Sequence, residues 1–527
     1  MNSTGRMFPQ TQHSNKATYT YNTMIKAHLS NSNTYPHMAL DIYVGMKRNG
    51  INCDNYTYPF VLKACKMICG LWEGRQVHGE VMKVGLFDSD VFVRNGLIGM
   101  YCKCQQMTCS RFLFDEFHWK DLVSYNLMLS GYLECRDMVE AQKMFDEMPE
   151  RDVVSWSIMI DGYGKKLGLV NHARNLFDQM HNRDTVSWNT MIDSYAKIGN
   201  MVAARELFDK MDHKNLISWT IMINGYSQHQ NPKEALALFN LMLSHDTKPD
   251  KFCVIGAISA CAQLGALDSG RWIHTYIKKT KIPLDVVANT ALIDMYMKCG
   301  GTKEARAIFN SMSKRTVVTY NVMISGLGIN DSGSEALKCF YKMEEDKIEM
   351  DDLVFLSVLS ACSHSGFVQE GLEIFKQIRN PKVEHYGCLI DLLVRKGEFG
   401  KALSFIGSMP MEPNVDLWGS VLLGCRVWRN VGLGEFVLDR IKELGGDDCG
   451  VYVLMSNIYA DNGMWECVAE MRRIVAAKGA VESGKSVIEV VGGGVEEFVC
   501  GKKGRVRGNE IEEVVLSLSK MVDLEYG

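Results

Sequence analysis

VVSWSIMIDGYGKKLGLVNHARNLFDQMHNRD (Val153 to Asp184) runs directly into TVSWNTMIDSYAKIGNMVAARELFDKMDHKN (Thr185 to Asn215), and the two segments match at nearly every apolar position. A sequence that repeats itself at this interval is a tandem array. Each unit reads as two short amphipathic helices. In the unit beginning at Leu122, Tyr125, Met128, Leu129 and Tyr132 share one helical face, and Ala141, Met144, Phe145 and Met148 make a second. Such a pair cannot bury its apolar faces alone, so neighbouring units must stack and leave one long surface. The expected fold is all-α, a solenoid of antiparallel helix pairs, with function spread along that surface.

Aligned on the aromatic residue and the polar residue after it, units start at Thr18, Asn55, Val91, Leu122, Val153, Thr185, Leu216, Lys251, Val286, Val317, Asp352 and Val383, twelve units of 31 to 37 residues filling 18–414. Small residues recur in the second helix (Ala173, Ala204, Ala235, Ala305), where helices must approach closely. Gly199 and Gly300 fall between the two helices, where a backbone reversal favours glycine. The 32 Met read as core filling.

Composition narrows the function classes. The formal net charge is -4, so no overall basic field points to nucleic acid, and any such binding must come from local chemistry in the groove. The 17 Cys sit at apolar helical positions such as Cys261, Cys362 and Cys425, without a C-x-x-C, and read as reduced core residues. No apolar run approaches the roughly 18 residues of a membrane span, so no membrane partner is expected. Residues 1–17 carry Arg6 and Lys16, several Ser and Thr and no acid, the composition of a targeting segment or of a frayed terminus.

The fifth residue of each unit follows the aromatic by one step and is expected to face the inner groove. It is Asn22, Asn95, Asn126, Ser157, Asn189, Thr220 or Asn321, each able to hydrogen-bond, and Thr290 in the unit at Val286. The last residue of the same units is Asp54, Asp121, Asp152, Asp184, Asn215, Asp250 or Asp351, with Thr316 after Thr290. A structural reading is available: the Asp caps the next helix and the polar residue closes a turn.

The wording of the units carries a resemblance. The VVSWNTMI-like openings, the pair Gly162 and Tyr163, the A…F…M…D endings, the long-type FVLKAC (Phe60 to Cys65) and VLSACSHSG (Val358 to Gly366), and the short-type LIDMYMKCG (Leu292 to Gly300) resemble plant pentatricopeptide repeat proteins of the class with alternating long and short repeats. Tetratricopeptide repeats would show a steadier period and another opening. The resemblance implies a right-handed α-solenoid superhelix that binds single-stranded RNA, one base per repeat. It implies that the fifth and last residues named above select the base, and that the second residues, including Tyr19, Phe92, Val123, Val154, Val186, Ile217 and Val318, sandwich it. Carried over repeat by repeat, Asn with Asp implies U, Ser157 with Asp184 and Thr220 with Asp250 imply G, and Asn189 with Asn215 implies C or U. Pro59, Ile255 and Leu356 at the fifth position of long-type units, Thr290 with Thr316, and Gly387 with Asn414 are off this pattern. The implied RNA, 5′ to 3′, is U-n-U-U-G-(C/U)-G-n-n-U-n-n.

Beyond the repeats, 415–482 resembles the E-type extension of organellar C-to-U editing factors, through Trp418 to Glu435 and Tyr452 to Arg473. Residues 483–527 resemble a divergent form of the segment that follows it, with SVIEV (Ser486 to Val490) as a small β element and a basic stretch, Lys502 to Arg507. A zinc deaminase needs H-x-E with a later P-C-x-x-C. His78-Gly79-Glu80 has no such partner, so no catalytic residue, metal or cofactor is expected. Gly479 to Ser486 fits G-x-x-x-x-G-K-S, but a nucleotide loop needs a strand before and a helix after, and here the order reads reversed. The resemblance therefore implies a site-recognition factor for C-to-U editing in the mitochondrion, or alternatively the chloroplast, that recruits a separate cytidine deaminase or other editing proteins through its C-terminal extension. Two other readings are an RNA-binding factor for splicing, cleavage or transcript stability, and a protein-binding helical scaffold.

Overall fold

The computed structural model describes residues 8–30, 35–116, 119–166, 168–245, 247–446, 448–478, 485–490 and 494–499. It falls into two compact units, Met1–Gly225 and Tyr226–Gly527. In each, the chain folds as successive helix hairpins at the interval the sequence predicts, such as Leu122–Glu134 with Met138–Glu147, and Val317–Ile329 with Gly333–Glu345. Helix already begins at Phe8, ahead of the first expected unit at Thr18. In the second unit two further hairpins follow the repeats, Val415–Val427 with Val431–Glu443 and Cys449–Asp461 with Trp465–Lys478. Two antiparallel strands, Lys485–Val490 and Gly494–Val499, stand where a small β element is expected.

A recurring aromatic pair ties the units together. In at least five repeats the Phe near the end of the second helix meets the aromatic at the fourth position of the next repeat edge to face: Phe114 with Tyr125, Phe145 with Trp156, Phe177 with Trp188, Phe208 with Trp219 and Phe309 with Tyr320, centroids 4.9 to 5.2 Å apart. Each such pair contributes about 0.5–1.5 kcal/mol beyond the area it buries. A basic residue just before the last position covers the same Phe. The guanidinium carbons of Arg151, Arg183 and Arg315 lie 4.9, 4.8 and 4.7 Å from the ring centres, and the Nε atoms donate to the carbonyls of Phe145, Phe177 and Phe309. One side chain thus caps the helix C-terminus and lids the aromatic seam.

Ala173, Ala204, Ala235 and Ala305 are fully buried, as the close approach of helices requires, and so are Cys261, Cys362 and Cys425. Gly199 and Gly300 take φ of 81° and 79°, the left-handed conformation expected of them between helices. The unit at Val153 is one residue longer than the next, and the extra residue is absorbed in a wide π turn, Gly162–Lys166, that continues the helix Val153–Asp161.

Candidate nucleic-acid interface

The helix N-termini fix the last residue of each repeat that carries the polar pattern. Asp121, Asp152 and Asp184 each take an extended backbone, and their carboxylates accept from the N–H of Ser124, Ser155 and Ser187 at 2.8 Å. Asp54, Asn215, Asp250 and Asp351 do the same for Thr57, Ser218, Cys253 and Val354. The capping role is therefore real in every repeat that carries the pattern. The cap from the backbone N–H takes one of about four lone-pair sites on a carboxylate, and at Asp54 and Asp152 the hydroxyls of Thr57 and Ser155 bond the same Oδ1.

The fifth residues do not close turns: they sit within the first helices. In the first unit the amide Nδ2 of Asn22, Asn95 and Asn126 donates to Asp54, Asp121 and Asp152 at 2.9, 3.1 and 3.3 Å, and Asn189 donates to Asn215 at 3.2 Å. Two residues 26 or 32 positions apart thus meet in these four repeats. The remaining fifth residues are held differently. Thr220 donates back to the Leu216 carbonyl, Asn321 accepts from the Ser357 hydroxyl at 2.6 Å, and the Ser157 hydroxyl has no protein partner. Off the pattern, Thr290 bonds the Val286 carbonyl and the Thr319 hydroxyl.

These side chains lie deeper than open groove residues would. Asn22, Asn189 and Ser157 are only 7%, 6% and 9% exposed. Within this recess, Asn126 Oδ1, Asn189 Oδ1 and Ser157 Oγ are shielded without a hydrogen-bond partner. A polar atom left so costs about 1–3 kcal/mol. Burial pushes the Asp152 carboxyl up, but hydrogen bonds from Ser155 and Asn126 outweigh it and hold the group below the usual carboxylate range. Asp54 is lowered in the same way, against burial, by Thr57 and Asn22.

Beside each polar pair stands an exposed apolar side chain. Tyr19, Phe92, Val123, Val154, Val186 and Ile217 in the first unit are 54% to 77% exposed, as is Val318 in the second. Tyr56, Phe252, Val287 and Leu353 occupy the same second position and are equally open, although the pattern of the polar pairs does not mark their repeats. The alignment itself marks them, since each follows the first residue of a unit. Single exposed apolar residues are common, but one at a fixed place in repeat after repeat is a designed surface. Between Val153–Asp161 and Thr185–Lys197 the two features converge. Val154, Val186 and Ile158 line a cavity of about 400 Å³ together with the hydroxyls of Ser130, Ser157 and Thr190 and the carboxylates of Glu134, Asp161 and Asp184.

Other sequence signals resolve as packing. In the helix Leu71–Val84, His78 Nδ1 lies 3.0 Å from the Tyr101 hydroxyl, and Glu80 accepts from Tyr43 and pairs with Lys47. At the G-x-x-x-x-G-K-S stretch, a helix ends at Lys478 and a strand starts at Lys485, the order opposite to a nucleotide loop, with 479–484 outside the described residues. The basic stretch Lys502 to Arg507 also lies outside them. Among the described residues, no helix is long and apolar enough to cross a membrane.

Comparison with known proteins fits this geometry. The PPR repeat model matches residues 123–153, 154–184, 186–216, 318–348, 354–380 and 384–412, the PPR repeat family model 16–67 and 214–263, the pentatricopeptide repeat domain 273–330, and the E motif 428–489. A pentatricopeptide repeat-containing protein of Arabidopsis thaliana is 43% identical over 98% of this chain and 87% of its own length. Another from the same plant, named as mitochondrial, is 40% identical over 52% of this chain and 41% of its own. Among solved structures, the pentatricopeptide repeat protein PPR10 from maize is 18% identical and covers 87% of this chain and 73% of its own, at a TM-score of 0.48. With repeat models along most of its length and a relative matched nearly end to end, this chain belongs to the pentatricopeptide repeat family and carries an E motif.

Proposed function

We propose that the protein binds single-stranded RNA sequence-selectively and serves as the site-recognition factor for C-to-U editing of an organellar transcript, with the deaminase supplied in trans. One observation carries the reading: an exposed apolar side chain recurs at the second position of repeat after repeat, and in four of these repeats it stands beside an Asn that donates to the last residue. The apolar residue offers a stacking face to any base, and stacking supplies affinity without the net positive charge this chain lacks. The polar pair then selects. Asn126 and Asn189 hold their Nδ2 to the last residue, which leaves Oδ1 as the unused acceptor of each pair, one that the N3–H of uracil or a cytosine amine reaches only when the side chains shielding it move aside. At the 400 Å³ cavity the acceptor-only carboxylate of Asp184 suits the Watson–Crick donors of guanine, and the Ser157 hydroxyl suits its O6.

The E motif match supports the editing role, and a mitochondrial site of action is favoured by the relative named so, with the chloroplast as the alternative. Binding of U-n-U-U-G-(C/U)-G-n-n-U-n-n, compared with the same RNA carrying U for both G, tests the RNA reading. Weaker binding of the swapped RNA is expected. Equal affinity removes the base assignments, and no affinity for either leaves the repeats as a protein scaffold. Sequencing organellar transcripts after loss of the protein tests the rest: loss of C-to-U conversion at one or a few sites is expected, whereas intron retention or altered transcript ends speaks for another RNA-processing step.

A further inference from the structure

In the second repeat the fifth residue is Pro59, which has no side-chain donor or acceptor, yet its helix, Thr57–Ile68, borders a cavity of about 420 Å³. Lys63 and Lys66 of that helix line it, and Asn95 and Lys103 line it from the next repeat's first helix, Val91–Lys103. No acidic residue does. Lys103 is compensated by Glu134, whose carboxylate accepts from its Nζ at 3.1 Å, but Lys63 and Lys66 have no carboxylate partner among the described residues. Part of the wall on the next repeat carries no side chain. Gly96 and Gly99 stand three residues apart on one face of the helix, and a Cβ on Gly99 would lie 3.7 Å from Lys66 Nζ, so that ammonium reaches across onto the neighbouring repeat. The feature is particular to this repeat: at the equivalent places the other long-type units have Ser259 and Ala262, or Ser360 and Ser363.

The geometry points to a phosphate-binding site here: Lys63 and Lys66 grip the RNA backbone at the nucleotide that Pro59 cannot read. Two unpaired cations beside one cavity repel each other and favour an anion between them. The second repeat then adds affinity and register but no base preference, the usual division between phosphate and base contacts. This rests on the RNA-binding reading above.

The test is the salt dependence of RNA affinity for the full chain and for Lys63→Gln/Lys66→Gln, with intact folding checked by circular dichroism. Losing one phosphate contact makes the log–log slope shallower by about 0.7, so the variant binds about fivefold more weakly at 0.1 M salt and equally near 1 M. The affinity ratio between the U/G RNA and its G-to-U version should not change. Neutral methylphosphonate linkages around the second nucleotide should weaken the wild type alike and leave the variant unaffected. An unchanged slope, or an altered base preference, overturns the phosphate site while selective binding still upholds the base-reading repeats. A wild-type chain that binds no RNA overturns both.

Discussion

Replacing Val154 and Val186 together by serine should weaken RNA binding far more than it weakens the fold. The two side chains are 54% and 60% exposed and flank the same cavity. Full burial of a valine is worth about 1.5–3 kcal/mol, so covering the half still open at each gains about 0.8–1.5 kcal/mol, and about 1.5–3 kcal/mol for the two. At 1.4 kcal/mol per tenfold, the double variant should bind its RNA about 10- to 100-fold more weakly. Serine and valine have similar helix propensity, and each valine sits in the first turn of its helix, so the fold should lose no more than about 1 kcal/mol per site. Kd by fluorescence anisotropy and the thermal midpoint of the same preparations separate the two effects. A Kd within twofold of wild type, with the variant folded, would refute the claim that these valines clasp a base.

Asp152 should show two separable roles, read by calorimetry and by RNA competition: Asp152→Ala loses about 1 kcal/mol of stability with its helix cap and loses base selectivity at the fourth nucleotide, whereas Asp152→Asn keeps most of the cap and, giving that repeat the combination of Asn189 with Asn215, broadens the preference there from U to C or U. Arg183→Ala, which removes two carbonyl hydrogen bonds and the cover over Phe177, should cost about 1–2 kcal/mol in urea unfolding, and Arg183→Lys should recover only part of it. Acid should weaken the array through Asp54 and Asp152. Their folded-state pKa values lie below the unfolded ones, so their contribution is present above the unfolded value and is lost as pH falls through the folded one. The difference in thermal midpoint between wild type and Asp152→Asn should therefore shrink from pH 6 to strongly acidic pH; a constant difference would contradict it.

The repeat period, the helix pairs and the two special glycines were legible because each follows from local rules: apolar spacing, close packing and backbone sterics. The meeting of Asn126 with Asp152 was legible too, since the fifth residue and the last residue, which opens the next repeat's first helix, recur at corresponding places in the units. Depth was not. Whether Asn189 stands in solvent or lies 6% exposed depends on how far Val186 and its neighbours rise around it, which is a property of the stacked helices. Nor does periodicity say that Thr220 turns back to its own helix or that Ser357 takes Asn321, because a carbonyl one turn back, or a hydroxyl on the next repeat's first helix, competes with the partner at the junction. The basic residue before the terminal Asp, as at Arg151 and Arg183, recurs visibly in the sequence. Its role as both cap and lid emerges only when the ring beneath it is in place.

The central claim is that one repeat addresses one nucleotide through its fifth and last residues. Asn126→Ser tests it most directly, because it gives that repeat the Ser and Asp combination of Ser157 with Asp184. Affinities measured against RNAs carrying each base at the fourth nucleotide should show the preference move from U to G there, by about tenfold for the one or two hydrogen bonds exchanged, with every other position unchanged. A preference that stays at U, or one that shifts at several nucleotides at once, would contradict the account.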